Sequence, residues 1–393
     1  VPGNEHTIIH LEERGMTMFD ESLLRDLATI ETSGPVLSVY LDVDPKQHTA
    51  EEYRLTLREM LKSVEGQADA ADIEAVRRYV DLEYDWSGRG LVMFSRQAEG
   101  LWHALTLALP VRAGVTVAQK PYISPLVELD GIYGRHAVAL VDRQGGRFFL
   151  FQMGVVVDQE GYLGEEVRGL RKGRGSSVIG MHGGAADAGR KEAEVIQRNL
   201  RETANALTAF CQRHRPRRLL LAGAEHTVAQ FQEHLPAQLQ AIVAGTFVAD
   251  MEANENEIRD HSNENEIRDH SFAILQQLSE QRKKTIVETI ITAAAKGSNG
   301  VIRLGETLSA ANEGRVQVLA IERDFHKPGY RCRSCGYLTT QELETCPFCS
   351  DTFEEIPDAA EAVVSRVVEK GGTVEVVENG MMGEAHIGAL LRY

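Results

Sequence analysis

Apolar positions along the chain change repeatedly between a period of two and a period near 3.6, and the changes mark out its elements. Residues 35–44 (PVLSVYLDVD) are a β-branched, alternating run closed by Pro45, which predicts a strand and a turn. Two stretches with apolar residues three and four apart follow, at about 50–63 and 71–84, and predict amphipathic helices. Residues 88–95 and 101–109 read as strands with a polar tip between them. Further on, 136–142 (HAVALVD) and 147–152 (RFFLFQ) flank Gly145-Gly146, a hairpin signal, and 155–158 is a third strand. Residues 217–222 (RRLLLA) are a continuous apolar run, as in a strand buried on both faces, followed by a helix at 227–235 and a strand at 241–248. The last third predicts a long helix at 272–295, a strand at 300–303, a helix at 306–311, a strand at 316–321, a helix at 359–370, and strands at 373–377 and 387–392.

This order predicts an α/β chain in three domains: an N-terminal α/β domain over 1–130, a mixed sheet flanked by helices over 131–271, and a small α/β sandwich over 272–393. Trp86 and Trp102 are expected in packing, and Cys211 as a packed thiol. Asn254 to Ser262 (NENEIRDHS) is repeated without change at Asn263 to Ser271. A perfect tandem of this length is too short for a solenoid unit, so it reads as a duplication that lengthens a solvated linker, with His261 and His270 outside any metal site.

The periodicity fails in one place. From Glu166 to Gly189 the chain is rich in Gly, Ser and cations with no apolar period, which predicts an exposed loop over 168–190. From Arg190 a helix resumes, with Ala193, Ile196, Leu200, Ala204, Leu207 and Cys211 on one stripe. Between Arg168 and Arg218 there are twelve Lys and Arg against four acids, a local charge of +8 in a chain whose net charge is −16. Gly lets backbone N–H groups approach phosphates and Arg binds their oxygens in pairs, so the loop suits a polyanion. The candidate RNA contacts are Arg168, Arg171, Lys172, Arg174, His182, Gly183, Gly184 and Arg190. Charge alone leaves a solvated loop with surface arginines equally open.

At 393 residues, 43% of them hydrophobic, the chain has material for several cores, and its acidic balance disfavours indiscriminate coating of DNA while permitting docking by local patches. No stretch approaches the roughly 20 uninterrupted apolar residues of a membrane span. The first fifteen residues lack the cationic start and apolar run of a secretory signal. Four of the five cysteines form two CxxC pairs, Cys332 with Cys335 and Cys346 with Cys349, ten residues apart. Such pairs close a tetrahedral thiolate site in a reducing compartment, so a cytoplasmic location and a structural zinc in a ribbon over 328–353 are expected, with iron as the alternative for the same ligands. With four protein ligands no water binds the metal, which excludes metal catalysis there. No GxxxxGK[ST], HExxH or GxSxG motif occurs, and no enzyme is predicted.

The succession of an α/β domain, a sheet domain whose basic Gly-rich loop opens a long helix, and a sandwich interrupted by cysteine pairs resembles the class-one release factors of archaea and eukaryotes and the rescue factor Pelota. It resembles more closely their bacterial homologues, which include the hibernation factor Balon. The resemblance rests on SVYLDVDP (38–45), LLLAGAEHT (219–227), AGTFVAD (244–250), the cysteine ribbon and IGALLRY (387–393). It implies an RNase-H-like middle domain, an L7Ae-like C-terminal domain with an inserted zinc ribbon, and binding to rRNA in the ribosomal A site. Elongation factor Tu or another translational GTPase is the implied protein partner; neither a membrane nor a small-molecule substrate is. Where a terminating factor carries Gly-Gly-Gln, this chain reads His182-Gly183-Gly184-Ala185, and residues 44–51 (DPKQHTAE) lack the Asn-Ile-Lys-Ser turn of a codon reader. The expectation is a hibernation factor that occupies the A site without releasing peptide. The alternatives are ribosome rescue, peptidyl-tRNA hydrolysis through a substitute group such as His182 or Gln197, and an RNA-binding module without a ribosomal role.

Overall fold

The computed structural model describes Phe19 and residues 21–167, 184–249 and 261–393. The chain forms two compact units, Val1–Gly131 with Glu280–Tyr393, and Ile132–Ser279. The N-terminal part of the first unit contains α1 (Glu21–Thr29), β1 (Val36–Asp42), α2 (Ala50–Ser63), α3 (Ala70–Arg78), β2 (Gly90–Arg96), β3 (Leu101–Leu107), β4 (Gly114–Ala118) and α4 (Ser124–Tyr133). Its sheet is antiparallel in the order β3-β2-β1-β4. Leu57 and Leu61 of α2 and Val76 of α3 bury one face of it against Leu37, Val39 and Leu41. A reciprocal cap between Thr49 and Glu52 starts α2. The helix expected to reach residue 84 ends at Arg78 and continues as a π turn over Tyr79–Glu83. Three elements, α1, β4 and α4, have no counterpart in the sequence reading. α4 (SPLVELDGIY) has Pro in its first turn, Gly near its end and little amphipathic contrast, so its pattern carries no helical period.

The second unit comprises β5 (His136–Val141), β6 (Gly145–Gln152), β7 (Val155–Leu163), α5 (Gly184–His214), β8 (Arg218–Gly223), α6 (Glu225–His234), α7 (Ala237–Gln240), β9 (Val243–Phe247) and the first part of α8 (His261–Ala295). The sheet order is β7-β6-β5-β8-β9. β7, β6 and β5 are antiparallel, whereas β5, β8 and β9 run parallel. The two central strands are covered on both faces, which is why β8 reads as an unbroken apolar run. Ala137, Ala139, Leu219 and Leu221 meet Leu200, Leu207 and Phe210 of α5 and Phe231 of α6. Val138, Leu140 and Leu220 face Ile267 and Leu275 of α8. On α5 the expected stripe holds from Ile196 onwards, while Ala193 is exposed.

The duplicated nonapeptide differs from its expected role. Its second copy lies within α8, where Ile267 and Ser271 are buried and His270 stacks on Phe247 with ring centroids 5.5 Å apart. Ile267, Ser271 and Leu275 recur at four-residue intervals, so a helical second copy presents one buried face and belongs to the core instead of a solvated linker. Residues 254–260 of the first copy lie outside the described residues.

The remainder of the first unit follows α8 with β10 (Gly300–Ile302), α9 (Leu304–Asn312), β11 (Val316–Glu322), β12 (Gly329–Cys332), β13 (Leu338–Thr339), β14 (Phe353–Ile356), α10 (Ala359–Glu369), β15 (Thr373–Val377) and β16 (Ile387–Leu391). One sheet runs β10-β16-β11-β15 and a small antiparallel one runs β13-β12-β14. Segments distant in sequence are joined inside this unit by buried ion pairs and by a buried carboxyl group. Glu128 accepts from Lys283, which is 2% exposed, at 3.1 Å and from Arg323, and Glu361 accepts from the backbone N–H groups of Ile123 (2.9 Å) and Ser124 (3.3 Å) and from the Ser124 hydroxyl. No helix among the described residues is long and apolar enough to cross a membrane.

Candidate nucleic-acid loop and cysteine metal site

The basic segment departs from the end of β7, the outer strand of the second unit's sheet, and returns at the start of α5. Its departure is held by one buried side chain. Asn199 of α5 accepts from the Glu165 N–H (3.0 Å) and donates to the Glu165 carbonyl (2.8 Å) and the Arg143 carbonyl (3.2 Å). A Cβ on Gly164 would come within 2.4 Å of the Asn199 side chain, so only glycine allows this approach. Arg198, one residue before Asn199, pairs with Glu165 at 3.1 Å.

Of the candidate RNA contacts, Arg168, Arg171, Lys172, Arg174, His182 and Gly183 lie outside the described residues. Gly184 is the first residue of α5, and Arg190 is an exposed residue on the same helix. The local charge of +8 overstates what is free to meet a polyanion. Arg198 is paired with Glu165, and Arg213 binds Glu160, both acids lying just outside the counted stretch. Gln197, one of the two groups the hydrolase alternative could use, is half-buried with its amide oxygen 2.9 Å from His234 Nε2. Cys211 is buried among the core residues of α5, and burial pushes its thiol up to about 12, so it stays a protonated packing group.

Residues 44–49 lie in the connection from β1 to α2. Asp44 accepts from Arg89 at 2.7 Å and from the Lys46 N–H at 3.0 Å, and the Arg89 hydrogen bond holds its carboxyl below the ordinary range. Trp86 is half-exposed beneath the Arg54 guanidinium, 4.5 Å from the ring centroid, and Trp102 packs on Tyr79. Trp102 packs against the core of the N-terminal sheet, whereas Trp86 keeps half of its surface exposed and touches Tyr53 and Arg54.

The four paired cysteines converge in the first unit. Their sulfur atoms lie within 4.8 Å of one another, with Cys332 Sγ 3.3 Å from Cys349 Sγ and Cys335 Sγ 3.6 Å from Cys346 Sγ. Four thiolates about 2.3 Å from one zinc ion would stand about 3.8 Å apart, so the set is close to the size the ion requires. The two knuckles are built alike. In the first, Cys332 N–H donates to Tyr337 O (2.9 Å) and Gly336 N–H to Cys332 O (3.0 Å), with Gly336 at φ +69°. In the second, Cys346 N–H donates to Asp351 O (2.8 Å) and Ser350 N–H to Cys346 O (2.9 Å), with Ser350 at φ +64°. Burial raises the Cys332 thiol, but the backbone N–H groups of Cys335 and Ser334 and the Cys349 thiol outweigh it and bring Cys332 down to about 6. The Tyr337 N–H lowers Cys335, but burial and the Cys349, Cys332 and Cys346 thiols push it up to about 12, so without a metal the set concentrates its charge on Cys332. These residues fit a tetrahedral Zn²⁺ with no open position, a structural ion.

Side chains outside the cysteine pattern hold the site in place. Asn312 of α9 brackets the Leu338 backbone, donating to its carbonyl (2.8 Å) and accepting its N–H (3.1 Å), and Arg366 of α10 donates to the Gly336 carbonyl (2.7 Å). Asn199, Asn312 and Arg366 escaped the sequence reading. The available signal was weak: Asn is a poor helix former, so an interior Asn facing the apolar side suggests a specific backbone partner.

Residues 121–266, from α4 into α8, match the model of bacterial archaeo-eukaryotic release factor family 10. Among solved structures the chain is similar to an archaeal translation termination factor, aRF1, at 14% identity over 97% of this chain and 98% of that one, with a TM-score of 0.24. It is also similar to Pelota of Archaeoglobus fulgidus (14% identity, 95% and 92% covered, TM-score 0.33) and to a model of ribosome-bound archaeal Pelota and ABCE1 (13% identity, 95% and 94% covered, TM-score 0.38). No curated protein matches the chain.

Proposed function

We propose, from the premise that this chain is a bacterial relative of the archaeo-eukaryotic release factors and Pelota, that it is a ribosome-binding translation factor which occupies the A site without releasing peptide, as a hibernation factor does. The observation that carries this reading is the family match over 121–266, which spans the whole sheet β5 to β9 together with the basic segment. Within that segment Ala185 stands where a terminating factor has its glutamine, and alanine has no group to position a water molecule. Gln197 is already engaged by His234. Both observations support a factor that is not an enzyme.

The middle sheet, with its antiparallel half β7-β6-β5 continued by parallel β8 and β9, supports an RNase-H-like frame from which the basic residues, Arg190 and those of 168–184, would meet rRNA. The four-stranded sheet of residues 300–391, with α9 and α10, supports the L7Ae-like reading, and the four thiolates support an inserted zinc ribbon. A translational GTPase such as elongation factor Tu is the proposed protein partner, and the cytoplasm the proposed location. The relatives in solved structures include a Pelota bound to the ribosome with ABCE1 and the yeast factor Dom34, which interacts with Hbs1.

The test is incubation of the purified chain with vacant ribosomes and with ribosomes carrying peptidyl-tRNA, following co-sedimentation and peptide release together. The expected result is binding to vacant ribosomes with no release. Preference for the peptidyl-tRNA complex without release would instead indicate rescue. Release abolished by His182→Ala would establish a hydrolase, and failure to bind either ribosome would overturn the reading.

A further inference from the structure

A cavity of about 240 Å³ lies within the first unit, with no cysteine and no residue of α5 in its lining. One wall is the end of β4, with Thr116, Val117 and Ala118, followed by Gln119 and Lys120. The opposite wall is one face of α10, in which Asp358, Glu361, Ala362 and Ser365 recur at three- and four-residue spacing, and Leu338 and Ile356 close the apolar end. β4 is an outer strand of its sheet, paired only with β1, so this wall is a sheet edge and not a packed face.

The polar groups of the lining are unequally satisfied. Arg331 is held by Glu354, and Arg366 by the Gly336 carbonyl and, at 3.7 Å, by Glu369. His326 is paired with Asp358 at 2.6 Å, and Glu361 is enclosed by Ile123 and Ser124. Lys120 differs from these: its one hydrogen bond is to the Ala28 carbonyl at 3.1 Å, and among the described residues no carboxylate lies within ion-pair distance of it. Burial lowers its ammonium pKa; Glu31 and Glu369 oppose that shift, while Arg366 and Arg331 add repulsion. Ser365 is 2% exposed, and its hydroxyl has no partner. A half-buried cation without a counter-ion costs free energy that an anion in the cavity would recover.

We infer that this cavity is a binding site for a small anion with an apolar body, the anionic head meeting Lys120 and the body packing on Val117, Ala118, Leu338, Ile356 and Ala362. A cavity of about 150 Å³ holds benzene, so this one has room for an aromatic ring with one charged substituent. A neutral analogue of the same shape would leave Lys120 uncompensated and bind poorly. The inference does not depend on the ribosomal reading, because none of these residues belongs to the matched stretch except Tyr122, which takes no part in the proposed contacts.

Isothermal titration of the full chain with benzoate, phenyl phosphate and benzamide tests it. The expected result is saturable binding of at least one of the two anions with Kd about 1 mM or below, at least about tenfold tighter than benzamide. Benzoate alone binding would assign a carboxylate head, and phenyl phosphate binding more tightly would assign a phosphate. Lys120→Met, which keeps the apolar stem, is expected to lose about tenfold or more, Lys120→Arg to retain binding, and Ala362→Leu to abolish it by filling the cavity. Melting temperatures of the variants confirm that each is folded. Absence of saturable binding by both anions, equal binding of benzamide, or undiminished anion binding by a folded Lys120→Met chain would overturn the proposal.

Discussion

Asn199 illustrates how much of the candidate RNA-binding element depends on single side chains. It satisfies three backbone groups at the point where the chain leaves β7, and these groups have no regular ladder to join there. Asn199→Ala is expected to destabilise the second unit by about 1–3 kcal/mol, because buried backbone groups lose their partners, and urea unfolding would read the loss. Ser350 presents the opposite case. It occupies the left-handed position that Gly336 fills in the other knuckle, and a side chain there costs about 1–2 kcal/mol. Ser350→Gly should therefore raise the melting temperature of the first unit without changing metal content; an unchanged or lower melting temperature would mean that the hydroxyl contributes more than the strain costs.

At the scale of elements, the cysteine site makes the most direct prediction. One zinc per chain is expected by elemental analysis, and Cys346→Ser should lose it, because three thiolates leave the tetrahedral set incomplete. Chelation should lower the melting of the first unit while leaving that of the second unchanged, since the four paired cysteines all lie outside Ile132–Ser279. The cysteine spacing made this site legible in advance because metal ligation depends on ligand chemistry and short-range geometry. What positions the ribbon was hidden: β13 has only two residues, too few for any periodicity, and Asn312 and Arg366 act across the fold. The central strands and α5 were legible because two-sided burial and a long apolar stripe leave strong patterns. α4 was not, since its Pro, Gly and weak amphipathic contrast leave no helical period, and β4 is a five-residue edge strand fixed by packing; α1 was missed although its nine residues carry an amphipathic stripe. The duplicated segment misled for a related reason: one isoleucine among polar residues looks solvated until a helix aligns Ile267 with Ser271 and Leu275.

At the scale of the whole molecule, the fold brings together polar groups that no local pattern could pair, and Glu361 makes the consequence measurable. It begins α10, more than 230 residues after the Ile123 and Ser124 groups that bind it. Burial, partly opposed by the Ser124 and Ile123 hydrogen bonds, pushes its carboxyl up from 4.5 to about 8. The folded chain thus keeps a proton that the unfolded chain releases, and between those two values folding takes up protons. Stability from this group is full below about pH 4.5, declines as pH rises, and is gone once the folded value near 8 is passed, with a slope of up to about 1.4 kcal/mol per pH unit. Asp44, held low by Arg89, acts with the opposite sign but under more acid conditions, so the two contributions separate on the pH axis. Glu361→Gln keeps a neutral acceptor for the two N–H groups and removes the titration. Urea unfolding across pH 5 to 8 should show the native chain losing stability relative to this variant as pH rises, whereas a constant difference between the two would mean that Glu361 remains ionised in the fold.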